Sequence, residues 1–201
     1  MRLWIFSDWH LEHRNVPEKW VTAHGIPEAD VCVVPGDMHR GDLEVSFLGS
    51  TITPHMPVVV TPGNHAYYHN SMPDIRTAMR REARSYPDLH LLDPGSVVID
   101  DVRFVGATLW TDYRLAGAHR QRDAMRAAGR SMNDHRLILV SEGMDPRNHV
   151  WSPEMALARH EEELAYIRSV LEQPFAGPTV VVTHHGPPPG IGPCPIPGGG
   201  A

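Results

Sequence analysis

The sequence predicts a single α/β domain built on a largely parallel sheet. Three short apolar runs, at residues 1–8, 30–35 and 57–62, alternate with polar stretches that carry helical patterns. Strands that alternate with helices in this way form parallel β-α-β units. Each run also leads into an aspartate, an asparagine or a histidine. In a parallel sheet the carboxyl ends of the strands share one rim, and functional sites form there.

Two helices are expected to follow the second and third strands. The first is predicted over residues 42–52 and the second over residues 73–86. The second begins with Pro73 and Asp74, and proline at the first helical position with an acid in the first turn is a typical helix start. These helices would complete the β-α-β units.

Three further apolar runs come in quick succession and favour an antiparallel second sheet. They occupy residues 89–92, 96–99 and 102–106. Asp100 and Asp101, between the last two runs, suit a tight hairpin turn. The middle of the chain is therefore predicted to leave the parallel pattern.

The last third of the chain is predicted to contain one long helix and a final strand. Residues 114–150, rich in arginine, alanine and polar side chains, are expected to form a helix and loops outside the core. Ser152 and Pro153 are predicted to start the long helix. Its expected buried stripe consists of Leu157, Leu164, Ile167 and Leu171. Residues 179–183 form the final predicted strand.

Composition limits the classes of partner. The chain has 201 residues, a length that suits one sizeable domain. Its net charge of −6 does not indicate a nucleic-acid partner. No apolar run approaches the roughly 20 residues that span a bilayer, and the N-terminal apolar stretch is too short for a signal peptide. We therefore expect a cytoplasmic protein with no membrane partner. The two cysteines, Cys32 and Cys194, indicate neither a disulfide framework nor a zinc knuckle.

Side chains with metal-binding atoms follow four of the predicted strands. They are Asp8 and His10 after the first, Asp37 after the second, Asn64 and His65 after the third, and His184 and His185 after the last. Aspartate and asparagine are common at turns, so any one of them alone would more often be structural. Taken together, and with Gly36 and Gly63 beside them to allow sharp turns, they predict a divalent-metal site on one rim.

Four motifs together resemble those of the calcineurin-like metallophosphoesterases. They are Asp8-x-His10, Gly36-Asp37-x-x-Arg40, Gly63-Asn64-His65 and the late Thr183-His184-His185. Residues 106–111 and 132–136 also resemble segments of one bacterial branch of that family. The resemblance implies a four-layer α/β/β/α sandwich, in which helices flank two facing mixed sheets.

The resemblance also implies a ligand set for two divalent metal ions. Asp8 and His10 would hold one ion, and Asp37 would bridge it to the other. Asn64 and His184 would complete the second group. Mixed nitrogen and oxygen ligands suit Mn, Fe, Zn, Ni or Co.

Two further residues would act on the substrate. The resemblance implies that His65 lies near the phosphoryl oxygens or the leaving group and donates a proton. Arg40 would lie close to the rim and help with charge. The choice between His184 and His185 as metal ligand stays open, although the family pattern favours His184.

Two departures from the family pattern qualify these expectations. Ala66 stands where an acidic residue usually follows Gly-Asn-His, so we expect a tuned site. The family also has a late Gly-His-x-His, and no such motif follows His185. Residues 186–201, of which twelve are glycine or proline and none is charged, are expected to form a disordered tail. The metallophosphoesterase domain would then span residues 1–185, with its C-terminal strands missing and its activity impaired.

These features imply a phosphoesterase that hydrolyses a small-molecule phosphate mono- or diester. A hydroxide that bridges the two ions would attack phosphorus in line. One alternative is an inactive, metal-binding remnant of such an enzyme. A second is a metal-dependent hydrolase of a non-phosphate ester or amide, which usually needs an acidic general base beside the metal. No acidic residue directly follows His65, which disfavours the second alternative.

Overall fold

The computed structural model describes residues 1–13, 25–141 and 149–186, whose strands form two sheets. The first sheet has four parallel strands in the order β1-β2-β3-β4. They are β1 (Leu3–Ile5), β2 (Val31–Val34), β3 (Val58–Val60) and β4 (Leu89–Leu91). β2 and β3 are buried along their whole length, as expected for strands covered on both faces. The three predicted parallel strands are confirmed.

Helices connect the strands and cover the outer faces of the sheets. They are α1 (Asp42–Thr51), α2 (Met72–Ala83), α3 (Gln121–Ser131), the single turn α4 (Asp134–Leu137) and α5 (Pro153–Leu171). The first two lie where the sequence predicts them, although α2 ends three residues early. Ser152 Oγ accepts the Met155 N–H at 3.2 Å and caps α5, as its position before Pro153 predicts.

The second sheet has the order β5-β6-β7 and combines both strand directions. It consists of β5 (Gly95–Ile99), β6 (Val102–Ala107) and β7 (Thr179–Thr183). β5 and β6 form the predicted antiparallel hairpin, with Asp100 at a φ of 49° in its turn. β7 runs parallel to β6, with Thr183 opposite Ala107. This direction brings the end of β7 to the rim where the first sheet carries its polar loops.

β4 corrects the sequence-based prediction. Residues 89–92 are predicted to be antiparallel, but Leu89 pairs with Val58 in the parallel first sheet. The chain changes sheets at Asp93, immediately after this strand. Asp93 Oδ2 accepts from Arg76 at 2.8 Å, and Arg80 and Arg159 also form ion pairs with the carboxylate. These contacts with α2 and α5 fix the turn, and they depend on residues far apart in sequence.

Three apolar clusters fill the spaces between four layers. The outer space beside the first sheet contains Cys32, Val34, Leu48, Val58 and Met79. The space between the sheets contains Val31, Val33, Val59, Phe104 and Val182. The space between the second sheet and α5 contains Val105, Ala107, Leu109, Ile167 and Val170. Alternate side chains of β2 therefore point into two different clusters, and the predicted α/β/β/α arrangement is confirmed.

The core includes residues that the sequence places outside it. Ala128 and Ile138 are buried, although residues 114–150 are predicted to lie outside the core. Within α5, Leu171 is 37% exposed and Val170 is buried in its place. Positions spaced by seven residues drift by about 20° per interval around an α-helix, so a stripe extended from residue 157 to 171 leaves the buried face.

Two expectations about the ends and the location of the chain are not tested. The predicted disordered tail lies outside the described residues, apart from Gly186. In the described part of the chain, no helix combines the length and apolar character needed to cross a bilayer. The cytoplasmic location stays a prediction.

Glu44 anchors the loop that leads into α1. It is completely buried, and its Oε2 accepts the backbone N–H of Met38 at 3.1 Å. Burial raises the pKa of Glu44 to about 8, and the nearby Asp37 charge acts in the same direction. The carboxyl group is therefore held in a place where its ionised form is disfavoured.

Glu44→Gln should remove a pH dependence of stability. The folded protein keeps a proton on Glu44 that the unfolded chain releases, so the free energy of unfolding of the wild type should fall between the ordinary pKa of 4.5 and about 8. The glutamine variant should lose this part of the slope. Urea unfolding of the metal-free protein at several pH values measures it, with the exposed Glu172→Gln as control. Parallel slopes in wild type and Glu44→Gln would contradict the expectation.

Candidate metal centre

The predicted ligands lie on the loops that follow β1, β2, β3 and β7. The first two loops are joined by backbone hydrogen bonds, from Asp8 N–H to Gly36 O (3.2 Å) and from His10 N–H to Asp37 O (3.0 Å). Asp8, His10 and Asp37 all have positive φ angles, of 60°, 49° and 57°. Such conformations are unfavourable for residues other than glycine and persist where the surrounding structure imposes them, often at functional sites.

Two glycines allow the loops after β2 and β3 to approach each other closely. A Cβ atom on Gly63 would lie 1.9 Å from Asp37 Oδ1. A Cβ atom on Gly36 would lie 2.6 Å from Gly63 N and 2.9 Å from His184 Nδ1, and Gly36 also has a φ of +83°. Neither position has room for a side chain. The predicted need for glycine beside the ligands therefore has a steric cause.

Asp8, His10 and Asp37 form the first group of potential ligands. One donor atom from each lies within 4.8 Å of the others. His10 Nε2 is 4.0 Å from Asp8 Oδ1 and 3.8 Å from Asp37 Oδ2. These separations are too long for hydrogen bonds. They suit donor atoms that surround one cation, and two carboxylates with one imidazole are a suitable set for a divalent transition metal.

Asp37, Asn64 and His184 form the second group. His184 Nδ1 lies 2.8 Å from the carbonyl oxygen of Pro35. Because that oxygen can only accept, Nδ1 carries a proton, and in the neutral form of the ring this leaves the lone pair on Nε2. Nε2 is 3.0 Å from Asn64 Oδ1 and 3.4 Å from Asp37 Oδ2. Three acceptor atoms therefore face one another, an arrangement that a cation would stabilise.

Asp134 fixes the orientation of the Asn64 amide. Asn64 Nδ2 donates to Asp134 Oδ1 at 2.8 Å, and the Tyr68 hydroxyl donates to the same oxygen at 2.7 Å. Since a carboxylate only accepts, the amide nitrogen must face Asp134 and the amide oxygen must face His184. Ala66, where the family usually has an acid, is packed into the outer core. A carboxylate from α4 thus orients the Asn64 amide from a distant part of the sequence.

Glu12 holds two histidine rings with a single oxygen atom. It lies in a short 3-10 turn (Leu11–His13), and its side chain is only 3% exposed. Its Oε1 lies 3.2 Å from the Nδ1 atoms of both His10 and His65. Each Nδ1 therefore donates, which leaves His10 Nε2 directed at Asp8 and Asp37. This contact fixes the tautomer that a metal ligand needs.

The charge of Glu12 is favoured by these hydrogen bonds. Burial by itself raises the pKa of Glu12. Its own backbone N–H and the rings of His10 and His65 outweigh burial and lower the pKa below its ordinary value. Glu12 is therefore a carboxylate at neutral pH and a strong acceptor for both rings.

His65 lies between the two ligand groups and the Glu12 carboxylate. Its backbone N–H donates to Asp37 Oδ1 at 3.0 Å. Its ring stacks on Tyr68 with centroids 4.2 Å apart and lies 4.4 Å from the ring of His10. With Nδ1 bound to Glu12, Nε2 is the ring nitrogen left for a substrate. The geometry thus brings His65 to the cluster, as the sequence predicts.

Asp37 has the most constrained carboxylate of the cluster. It is almost completely buried, and burial raises its pKa above the ordinary range. The rings of His184, His65 and His10 oppose this effect only in part. Oδ1 is occupied by the His65 N–H, so Oδ2 is the oxygen that faces both ligand groups. A cation beside Oδ2 would supply the missing charge.

The structure does not bring the predicted Arg40 side chain into the cluster. Arg40 is exposed ahead of α1. Among the described residues, its guanidinium group forms no hydrogen bond or ion pair with the ligand groups. Its role in helping with charge at the rim stays a prediction.

His185, the alternative to His184 as a ligand, and the nearby buried His135 make their contacts elsewhere. His185 donates its backbone N–H to Thr108 O at 3.0 Å, and its ring packs near Trp110 with centroids 5.6 Å apart. Burial lowers the pKa of His185 to about 4. His135 has Nδ1 2.7 Å from Trp151 O and Nε2 3.3 Å from the Tyr113 hydroxyl. Of the adjacent residues His184 and His185, it is therefore His184 whose ring faces the cluster.

Comparisons with known proteins agree with this fold. A sequence model of the calcineurin-like phosphoesterase family matches residues 1–198. The structure is similar to that of a phosphopantetheinyl hydrolase from Mycobacterium tuberculosis, with a TM-score of 0.62 and 19% identity, over 90% of this chain and 67% of that chain. At this identity the likeness is one of fold.

A curated relative has a longer sequence. An uncharacterized protein of Acanthamoeba polyphaga mimivirus is 25% identical over an alignment of 142 residues, and the match covers 65% of this chain and 45% of the relative. The match thus covers less than half of the relative.

Asp37→Ala should remove bound metal more completely than Asp8→Ala or Asn64→Ala, because Asp37 Oδ2 faces both ligand groups. Metal content after dialysis of the Mn²⁺-loaded proteins measures the difference. Asp123→Ala, which removes an exposed aspartate from α3, is the matched control. Retention of metal by Asp37→Ala at the wild-type ratio would rule out its shared role.

Glu12→Ala should weaken metal binding by about 10–100-fold, because it releases the ring of His10 from the tautomer and orientation that direct Nε2 at the cluster. Competition with a chromogenic chelator gives the affinities. Glu161→Ala removes an exposed glutamate from α5 and should behave as wild type. An unchanged affinity in Glu12→Ala would show that the carboxylate does not position the ligand.

Proposed function

We propose that this chain, which belongs to the calcineurin-like phosphoesterase family, hydrolyses a phosphate mono- or diester of a small molecule with two divalent cations. The observation that carries the proposal is the position of Asp37 Oδ2, 3.8 Å from His10 Nε2 and 3.4 Å from His184 Nε2. One carboxylate oxygen between two ligand groups suits a pair of cations that share a ligand.

The donor sets fit such cations. Asp8, His10 and Asp37 would hold one, and Asp37, Asn64 and His184 would hold the other. Oxygen and imidazole donors suit Mn, Fe, Zn, Ni or Co. When bound, the pair supplies an activated water as nucleophile and neutralises charge on the phosphoryl oxygens. Two dications would also reverse the local sign of charge in a chain whose net charge is −6, which favours an anionic substrate.

His65 would protonate the leaving oxygen. Glu12 accepts a hydrogen bond from His65 Nδ1 and so fixes the orientation of the ring, and the stacked ring of Tyr68 limits its rotation. Nε2 is thereby presented to the substrate from beside the ligand groups. A positioned acid of this kind contributes about 10²–10⁴-fold to rate.

The comparisons support the class of reaction more strongly than the substrate. A phosphopantetheinyl ester is a candidate substrate, since the similar structure is that of a phosphopantetheinyl hydrolase. We therefore propose a phosphate ester in general as the substrate of this chain. The phosphopantetheinyl ester should be tested together with the other substrates.

Three chromogenic substrates separate the proposal from its rivals. The Mn²⁺-loaded protein is offered bis-p-nitrophenyl phosphate, p-nitrophenyl phosphate and p-nitrophenyl acetate. Turnover of either phosphate that is lost with Asp37→Ala supports the proposal. Turnover of the acetate alone would favour a non-phosphate hydrolase. Metal binding without turnover of any substrate, including the phosphopantetheinyl ester, would favour an inactive remnant.

His65→Ala should slow phosphate-ester hydrolysis by about 10²–10⁴-fold and leave metal content near the wild-type value. The reason is that His65 directs Nδ1 at Glu12 and no nitrogen at either ligand group. Steady-state kinetics and metal content are measured on the same samples, with the exposed His55→Ala as control. Loss of metal in His65→Ala would instead make His65 a ligand.

A further inference from the structure

A second cluster of donor atoms lies beside the proposed catalytic centre. It consists of His10, Glu12, His13 and His65, each with one donor atom within 4.8 Å of the others. Glu12 Oε1 is its centre, 3.2 Å from His10 Nδ1 and His65 Nδ1 and 3.6 Å from His13 Nε2. The first two contacts are the hydrogen bonds that hold the rings. The third is too long to be one.

Two features of this cluster are not explained by hydrogen bonding. Glu12 Oε2 is buried and has no hydrogen-bond partner among the described residues. A buried carboxylate oxygen without a partner is costly. His13, 67% exposed, directs Nε2 toward the same carboxylate without making a hydrogen bond. A cation bound by the Glu12 carboxylate would offset the charge of the group that carries Oε2 and would give His13 Nε2 a partner.

We propose that Glu12, His13 and His65 form a third cation site, selective for Zn²⁺ or a similar transition metal, and that its occupation inhibits the enzyme. Two imidazoles and one carboxylate are a donor set that zinc uses in proteins, with water in the remaining position. His10 is not needed in this set, because its Nε2 serves the first ligand group. The inhibitory part of the inference rests on the proposed function.

Zinc binding at this site would prevent His65 from acting as the proton donor. Zn²⁺ would take the place of the Nδ1 proton of the imidazolium form of His65, the form that acts as proton donor, and that proton would go to solvent. The ring bound to zinc is neutral, and loss of its remaining Nε2 proton would leave an imidazolate. It is therefore a much poorer proton donor than an imidazolium.

The exposed position of His13 makes the site easy to test. His13 lies outside the proposed catalytic machinery and makes no hydrogen bond within it. His13→Ala should therefore leave turnover without zinc within about twofold of wild type, since exposed substitutions away from special features have small effects. The same variant removes one of three proposed zinc ligands.

The decisive experiment is a titration with further Zn²⁺ of protein whose two catalytic ligand groups are already filled with Zn²⁺, because zinc would displace Mn²⁺ from those groups. Calorimetry follows binding of the further zinc ion, and hydrolysis of a phosphate ester is measured in parallel. Wild type should bind one further zinc ion and lose turnover as it binds. His13→Ala should bind zinc at least tenfold more weakly and keep its turnover. The exposed His119→Ala should behave as wild type.

Several outcomes would overturn the inference. They are equal affinity for the further zinc ion in wild type and His13→Ala, inhibition by further zinc that persists in His13→Ala, and binding of the further zinc ion that leaves turnover unchanged.

A spectroscopic measurement separates this inference from the proposed function. Co²⁺ bound by two imidazoles, a carboxylate and water gives ligand-field bands in the visible region. Co²⁺ in the two catalytic ligand groups absorbs in both proteins, so the third site is measured from the bands that a further equivalent of Co²⁺ adds. These added bands should appear in wild type and be missing in His13→Ala, whether or not any phosphate ester is hydrolysed. If they do appear but no substrate turns over, the third site stands and the proposed function fails. If substrates turn over but the bands do not depend on His13, the proposed function stands and the third site fails.

Discussion

The desolvated carboxylate of Asp37 is the constraint on which the site depends. A buried carboxylate is unfavourable unless hydrogen bonds and opposite charge compensate it. Here one oxygen receives a single backbone N–H and the other faces the lone pairs of imidazoles. The surrounding loops are built to keep it in this position. Gly63 has no side chain because Asp37 occupies the space, and the positive φ of Asp37 directs the carboxylate inward.

The charge of a second buried aspartate, Asp93, is compensated in a different way. Asp93 is as deeply buried as Asp37, but three arginines from α2 and α5 surround it. At Asp93 the protein's own arginines therefore supply the opposite charge, and these contacts fix the turn between the two sheets. At Asp37 the chain supplies imidazole rings and further oxygen atoms instead. The difference separates a structural carboxylate from one that fits an external cation.

The sequence predicts the parts of the site that depend on local order along the chain. Asp8, Asp37, Asn64 and His184 each follow a strand, and parallel strands end at a common rim, so their convergence follows from the fold class. Contacts between loops cannot be predicted from local order in this way. Glu12 meets His65 across 53 positions and Asp134 meets Asn64 across 70. No periodicity encodes such pairs. The spacing Asp8-x-His10-x-Glu12 was the local signal that could have pointed to Glu12.

Contacts between residues far apart in sequence also limit the prediction of the fold. Hydrophobic runs predict the strands, yet β4 joins the first sheet because Asp93 turns the chain after it. Ile138 is buried although its segment is rich in arginine, because neighbouring layers cover it. In each case a contact between distant residues overrides a local pattern.

The position of the ligand loops has a thermodynamic consequence. β1 and β7 are edge strands of different sheets, and the loops that follow them carry His10 and His184. Cations shared through Asp37 would therefore cross-link the beginning of the domain to its last described strand. An ion that binds only the folded chain stabilises it by about 2.7 kcal/mol at a concentration 100 times its dissociation constant. Cation supply would then set the lifetime of the folded protein as well as its turnover, and withdrawal of metal would expose the chain to unfolding and proteolysis.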